Sequence, residues 1–371
     1  MLTELSDCII YRFRPRDKNQ PVSVLMKHRP IILSLTSMHE SGLSILREAT
    51  DLRMASSLDP ATLQREVVGA EGLIIRTGGV IDAALLDRGH QLRVVGRHGV
   101  GYDQIDIDAA TARGVQVVYT PGANTQSVVE HVFALMIGIS RHFPRMMAGL
   151  VAGNYHIRTS ITGREIAGKS LGIIGFGRIG RRVGETAHRG FGMKVVYHDI
   201  VPAPAEVEQR ANARRVSLRE VLETSEYVTL HVPLDSSTRE LINRETLALM
   251  RRDTILINTC RGPVVDEAAV AQALDAGRLW GYGADVFTVE PPKPGHPLIG
   301  RTDVMLTPHS AAQTEEGLRT MAITIAQEVV GVLRGERPSN PVNNPDEVER
   351  VRRNLGLKPI YREGQIHLAS D

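Results

Sequence analysis

The stretch Leu171-Gly-Ile-Ile-Gly175-Phe-Gly177-Arg-Ile-Gly180 decides how this chain is read. A short apolar run feeds directly into Gly-x-Gly-x-x-Gly, and a helix-like segment, Ile179–Arg189, opens from it. In such a turn Gly175 makes the bend, Gly177 lets backbone approach a pyrophosphate, and Gly180 lets the helix pack on the strand. The amides of Arg178 and Ile179 then lie at a helix N-terminus, where phosphate is favoured. Alone, this pattern also fits any glycine-rich turn. The next strand-like run, Val195-Val-Tyr-His-Asp199, makes it specific, because it puts an acid 19 residues beyond Gly180, where a ribose 2′-hydroxyl is bound. A carboxylate there repels a 2′-phosphate, and Ile200 and Val201 bring no arginine to offset it. The expected cofactor is NAD.

Outward from this turn the chain alternates. Six strand-like runs, Leu171–Ile174, Lys194–Tyr197, Tyr227–Leu230, Thr254–Asn258, Leu279–Ala284 and Val304–Leu306, are separated by helix-like stretches, which is what a doubly wound dinucleotide domain needs. Before it, Ile31–Leu35, Leu73–Ile75, Leu92–Val95 and Val115–Val118 alternate with helical segments in the same way. The turn residues Thr120-Pro-Gly-Ala-Asn-Thr125 mark the boundary, and the helix Glu315–Arg334 is expected to cross back to the first unit. This places a substrate domain at 31–123 plus 314–343 and a cofactor domain at 124–313, with a cleft between two doubly wound parallel sheets. Residues 1–30 read as a surface extension and 344–371 as a polar tail that offers little core.

Composition narrows the function. In 371 residues, 44 Lys+Arg against 42 Asp+Glu leave a net charge of +2, and 4% aromatic content supplies few stacking platforms, so nucleic acid is not an expected partner. No apolar run approaches the roughly 20 residues of a membrane span. Cys8 and Cys260 form neither a disulfide framework nor metal-ligand spacing. A cytoplasmic protein without a metal is expected.

Three further segments end later strand-like runs: Ile257-Asn-Thr-Cys-Arg261-Gly, Gly283-Ala-Asp285-Val-Phe-Thr-Val-Glu290-Pro-Pro, and Leu306-Thr-Pro-His309-Ser-Ala-Ala. With Gly99-Val-Gly-Tyr-Asp-Gln-Ile-Asp106, Asn124-Thr-Gln-Ser-Val-Val-Glu-His131 and His231-Val-Pro-Leu234, they make the sequence resemble the D-isomer-specific 2-hydroxyacid dehydrogenases, near the phosphoglycerate dehydrogenases and the hydroxypyruvate or glyoxylate reductases. The resemblance covers roughly Ile31 to Asn343. It implies a flavodoxin-like substrate domain beside a Rossmann NAD-binding domain. It also implies an oxidoreductase in which His309 is acid and base, Glu290 orients its imidazole, and Arg261 clamps the substrate carboxylate. Those residue types suit the chemistry, since imidazole can give and take a proton near neutral pH, a carboxylate stabilises an imidazolium, and a guanidinium binds carboxylate with a fixed fork of donors. Asp285 is expected at the nicotinamide carboxamide, with His231, Val232, Pro233, Thr259, Cys260 and His309 also lining the cofactor. Cys260 reads as a small filler, and His98, His131, His156, His188 and His296 read as structural or surface residues.

In the first domain, Ile75-Arg76-Thr77-Gly78-Gly79-Val80 and Gly99-Val100-Gly101 resemble the family's substrate loops, which implies amides around Gly78, Gly79, Val100 and Gly101 gripping a carboxylate opposite Arg261. The first loop departs from the Arg-Ser-x-Thr of phosphoglycerate dehydrogenases. Hydroxypyruvate or glyoxylate is therefore the favoured substrate type, and Arg76 keeps a phosphorylated or sulfonated C3 acid in view. The apolar helix and following segment, 130–169, correspond to the family's two-fold contact and imply a homodimer. The competing expectation is a non-catalytic NAD(H)-sensing interaction protein of the same fold.

Overall fold

Residues His28–Arg362 are described by a computed structural model, and they build two parallel sheets. Residues 1–27, with Cys8 and nearly all of the expected N-terminal extension, and residues 363–371 lie outside the described residues. The first sheet contains β1 (Ile31–Ser34), β2 (Asp51–Met54), β3 (Gly72–Ile75), β4 (Val94–Arg97) and β5 (Gln116–Val118), in the order β2-β1-β3-β4-β5. The second contains β6 (Ser170–Ile174), β7 (Lys194–His198), β8 (Ala213–Arg215), β9 (Tyr227–Leu230), β10 (Ile255–Asn258), β11 (Gly281–Ala284) and β12 (Val304–Leu306), in the order β12-β11-β10-β9-β6-β7-β8. The first order is the flavodoxin type. The second is the Rossmann type, whose strand order reverses between β6 and β9, and ligands bind at such a reversal.

The central strands are covered by helices on both faces. Every residue of β3, β9, β10 and β11 is buried, as expected for parallel strands that read as continuous apolar runs. Five and seven strands stand where the sequence suggested four and six. The additions, β2 and β8, are edge strands with largely exposed side chains, Asp-Leu-Arg-Met and Ala-Arg-Arg. Pairing on one side only, they need no apolar run and leave none in the sequence.

Helix Thr125–Ser140 buries Val132, Leu135, Met136 and Ile139 in the core of the second sheet. Helix Glu315–Leu333 returns to the first sheet, where Ile325, Ala326 and Val329 share a core with Ile32, Ile74 and Val94. It lies so close to helix Glu40–Ala49 that a Cβ at Gly42 would meet the Ala322 carbonyl oxygen at 2.5 Å.

The expectation of a tail with little core is corrected by the structure as far as residue 362. Helix Pro345–Asn354 follows, and Val348, Ile360 and Tyr361 are buried in the first core. Glu349 Oε1 accepts the amides of Ile360 and Tyr361 at 2.6 and 2.9 Å, and Arg352 donates to the carbonyls of Gly114 and Lys358 at 2.8 and 2.7 Å. Buried charges met by hydrogen bonds in this way escape most of the desolvation penalty, and they bind the segment to the first sheet. Among the described residues, no helix is long and apolar enough to cross a membrane, and no group of three His, Cys, Asp or Glu could hold a metal ion.

Candidate active site

Parallel strands bring the sequence-selected residues of the second domain to one edge of its sheet. Gly175–Gly180 follow β6, Asp199 follows β7, His231 follows β9, Thr259–Arg261 follow β10, Asp285 follows β11 and His309 follows β12. Gly175 holds φ +91, and a Cβ there would lie 2.6 Å from the His231 backbone. A Cβ at Gly180 would lie 2.2 Å from the Gly175 oxygen, so helix and turn are in direct contact. Gly177 differs: nothing stands within 4 Å of its missing Cβ. It is the N-cap of helix Arg178–Phe191, and no side chain caps the amides that follow. Open space in front of uncapped helix amides fits a pyrophosphate.

Asp199 is held by its own turn, with Oδ2 accepting the Phe176 amide at 2.6 Å and Oδ1 the Val201 amide at 2.9 Å. The sequence offered no arginine beside it, but the edge strand β8 brings one. Arg215 donates to the carbonyls of Asp199 and Ile200 at 2.8 and 3.2 Å. Loss of hydration pushes His231 down to about 3, leaving it neutral with Nε2 3.0 Å from the Thr229 hydroxyl. Burial pushes the Cys260 thiol up to about 11, and Sγ lies 3.1 Å from Asn258 Oδ1, which matches a protonated filler and not a nucleophile. The Thr259 hydroxyl is buried without a hydrogen-bond partner among the described residues.

His309 Nδ1 lies 2.8 Å from Glu290 Oε2, and Glu290 Oε1 accepts the Phe287 amide at 3.0 Å. Burial alone would raise the Glu290 carboxyl. The hydrogen bonds from His309 and Phe287 and the charges of His309 and Arg261 outweigh it, so the group stays below its ordinary range. Arg261 is thus near enough for Glu290 to feel its charge. Its own guanidinium reaches into the first domain, where Nε and Nη2 each lie 2.9 Å from Asp103 Oδ1, and Nη1 donates to the Cys260 carbonyl at 2.7 Å.

The two glycine loops of the first domain meet this group. Gly78 and Gly79 hold φ +77 and +76, a conformation that glycine adopts without a Cβ penalty. Arg97, which sequence reasoning passed over although it stands two residues before the second loop, joins the two. Its guanidinium donates to the carbonyls of Arg76, His98 and Gly101. Burial first, then the charges of Arg261 and Arg76, lower Arg97 to about 10. Arg76 itself is half-buried, with no hydrogen-bond or ion-pair partner for its side chain among the described residues. His98 is buried, neither ring nitrogen has a hydrogen-bond partner among the described residues by distance and angle, and burial, with Arg76 and Arg97 beside it, pushes it down to about 3.

The buried Asp285 carboxylate faces the loop that carries His309, accepting the amides of Ser310 and Ala311 and the Thr307 hydroxyl. A cavity of about 550 Å³ adjoins the His309–Glu290 pair; Arg301 is in its lining but is already paired with Asp275 and Asp303, and neither Arg261 nor the loops at Gly78–Gly79 and Gly99–Gly101 line it.

Residues 133–311 match the family described as D-isomer specific 2-hydroxyacid dehydrogenase, NAD binding domain. The chain is 37% identical over 316 residues to the D-3-phosphoglycerate dehydrogenase of Methanocaldococcus jannaschii, covering 85% of this chain but only 60% of that relative's length. It is 35% identical over 330 residues to the glyoxylate reductase of Korarchaeum cryptofilum, covering 87% of this chain and 98% of that protein. The crystal structure of a glyoxylate reductase from Paecilomyes thermophila superposes with a TM-score of 0.78 at 28% identity, covering 85% of this chain and 99% of that one. On the strength of the near full-length match and the matching domain, this chain belongs to the D-isomer specific 2-hydroxyacid dehydrogenase family, with NAD as the cofactor of its second domain.

Proposed function

We propose that the chain interconverts a small D-2-hydroxy acid and its 2-oxo acid, and the observation that carries this is the His309–Glu290 pair standing within electrostatic reach of Arg261. Bound NAD supplies a hydride acceptor in oxidation and, reduced, a hydride donor. In reduction, His309 Nε2 delivers a proton to the C2 oxygen as C2 gains the hydride, and the imidazole is left neutral. In oxidation it takes the hydroxyl proton back. Glu290 holds Nδ1, which turns Nε2 toward the substrate and stabilises the imidazolium before transfer. Arg261 exchanges Asp103 for the substrate carboxylate, assisted by amides of Gly78, Gly79, Val100 and Gly101. Gly177 and the amides of Arg178, Ile179 and Gly180 hold the pyrophosphate, and Asp199 reads the ribose.

The substrate we favour is a small polar acid of the hydroxypyruvate or glyoxylate type. A C3 acid carrying phosphate or sulfonate is the second reading, favoured by the half-buried Arg76 guanidinium, which has no partner among the described residues. We further propose a cytosolic homodimer: helix Phe143–Val151 buries none of its residues and exposes Phe143, Met147, Leu150 and Val151, an apolar face that a second copy would cover. Light scattering would report its mass.

The test is a panel of 2-oxo acids with NADH and NADPH, followed by nicotinamide absorbance. Turnover on hydroxypyruvate or glyoxylate supports the first substrate reading, and turnover confined to a C3 acid that carries phosphate or sulfonate supports the second. Cofactor binding without turnover of any acid overturns the enzyme and leaves the sensing protein.

A further inference from the structure

The motif Asn124-Thr-Gln-Ser-Val-Val-Glu-His131 has no part in the reaction above, and His131 reads from sequence as structural. The fold brings it to the loop of the proton-transferring histidine. His131 Nε2 lies 2.8 Å from Thr307 Oγ1, and that hydroxyl lies 2.6 Å from Asp285 Oδ1. An ionised carboxylate only accepts, so Thr307 spends its one proton on Asp285 and must accept from His131. The proton of a neutral His131 is thereby fixed on Nε2.

Asp285 is 1% exposed and gathers the backbone around His309. Oδ1 accepts the Ser310 amide at 2.7 Å, Oδ2 the Ala311 amide at 2.8 Å, and the Asp285 carbonyl accepts the His309 amide at 2.7 Å. His309 stands at φ +52. An L-residue keeps that left-handed conformation only where its surroundings impose it, and here the surroundings are the Asp285 acceptors. A buried carboxylate in turn needs all its donors to stay in one orientation.

We propose that His131, Thr307 and Asp285 form a positioning chain through which helix Thr125–Ser140 fixes the loop of His309. The chain acts on the proton-transfer geometry and not on affinity for substrate or cofactor. This rests on His309 being the proton donor, so its test includes a readout independent of turnover.

His131→Ala and Thr307→Val are expected each to lower kcat by roughly 10- to 100-fold, the loss that follows a misplacement of about 1 Å, with KM for the oxo acid and the Kd of NADH unchanged. Thr307→Ser, which keeps the hydroxyl, and His131→Gln, which keeps an N–H donor, restore most of the rate. The double variant is no slower than the slower single one, because both cut the same chain. Hydrogen–deuterium exchange of the Ser310 and Ala311 amides is expected to quicken in His131→Ala and Thr307→Val. Unchanged exchange overturns the proposal whatever the enzyme turns over, as do wild-type rates in both single variants, multiplicative losses in the double, or a rate loss explained by weaker NADH binding. Should His131→Ala fail to fold, the Thr307→Val and Thr307→Ser pair decides alone. Absence of turnover in the wild type with slowed amide exchange in the variants would fail the functional reading and this one together; quickened exchange would fail only the former.

Discussion

Gly262 stands immediately after Arg261, at the start of a short 3₁₀ turn, and it is the point where two strand-end loops touch. A Cβ added there would lie 1.9 Å from the Phe287 carbonyl carbon, 2.0 Å from its oxygen and 2.3 Å from the Thr288 nitrogen. All three are backbone atoms, so no rotamer change relieves the contact. Ordinary contact begins at 3.4 Å, and the loops must part by about 1.5 Å. The Phe287 amide is also the one that holds Glu290, so this displacement moves either Glu290 from His309 or Arg261 from the cleft. Overpacking of this kind costs about 1–3 kcal/mol, which lowers the apparent Tm by roughly 2–12 °C for a domain of this size. A shift above about 1 Å at the reacting groups costs on the order of 100-fold in kcat. Gly101→Ala is the control. Its Cβ would lie 1.4 Å from Arg261 Nη2, the far end of a mobile side chain, which can move aside without disturbing backbone. Gly101→Ala should therefore keep the wild-type Tm but raise KM by roughly 10- to 100-fold, the worth of one charge-assisted hydrogen bond. Thermal scans with steady-state kinetics on the best oxo acid separate the two. A Gly262→Ala protein with wild-type Tm and kcat, or a Gly101→Ala protein as destabilised as Gly262→Ala, would refute the reasoning.

Removing the imidazole by His309→Ala should lower turnover by roughly 10²–10⁴-fold in both directions; wild-type rates would remove His309 from the mechanism. Glu290→Gln takes away the carboxylate that holds Nδ1 of His309, so kcat should fall while KM for the oxo acid is kept, and a wild-type kcat would show that the pair does not act together. Because Glu290 is held below its ordinary range, its contribution to stability is full above the ordinary carboxylate pKa and is lost as pH falls through the lowered value. Acid titration of thermal stability should show this loss in the wild type and not in Glu290→Gln. Asp199→Ala should narrow the preference for NAD over NADP, measured as the Kd ratio of the two cofactors, and Arg215→Ala in that background should widen it again by removing the cation beside the 2′ position. A ratio indifferent to Asp199 would place ribose reading elsewhere.

What the sequence disclosed was local or repeated. The turn at Gly175–Gly180 and the acid at 199 belong to one strand-turn-helix-strand unit, and the apolar strands carry their burial in their own composition. Edge strands do not: Ala213–Arg215 is defined by its partner β7, and with it the arrival of Arg215 at Asp199 went unseen. The helix Pro345–Asn354 was unreadable as core for a related reason, since Glu349 and Arg352 are buried against amides and carbonyls supplied by distant segments, and a charged residue bears no local mark of such partners. His131, Asp285 and Thr307 lie on three separate elements that only the folded second domain brings together. His309, Glu290 and Arg261 stand out in the sequence only through the family pattern that accompanies them; as residue types alone, each equally suits an ordinary surface pair.

The return of helix Glu315–Leu333 to the first sheet also orders the events of synthesis. Strands β1 to β5 leave the ribosome first, yet the core over Ile32, Ile74 and Val94 is closed only by Ile325, Ala326, Val329 and, last of all, Val348, Ile360 and Tyr361. The seven-stranded sheet has its final strand by Leu306. The first sheet is thus made before the second and finished after it, and it must wait, with one face only partly covered by Leu43 and Leu46 of helix Glu40–Ala49, through the making of an entire second domain. Nascent chains halted after residue 314 should yield to protease across 31–118 while 125–311 resists. A mutation that slows translation between the two domains lengthens exposure of the first one, so the segment most vulnerable during synthesis lies upstream of the second domain.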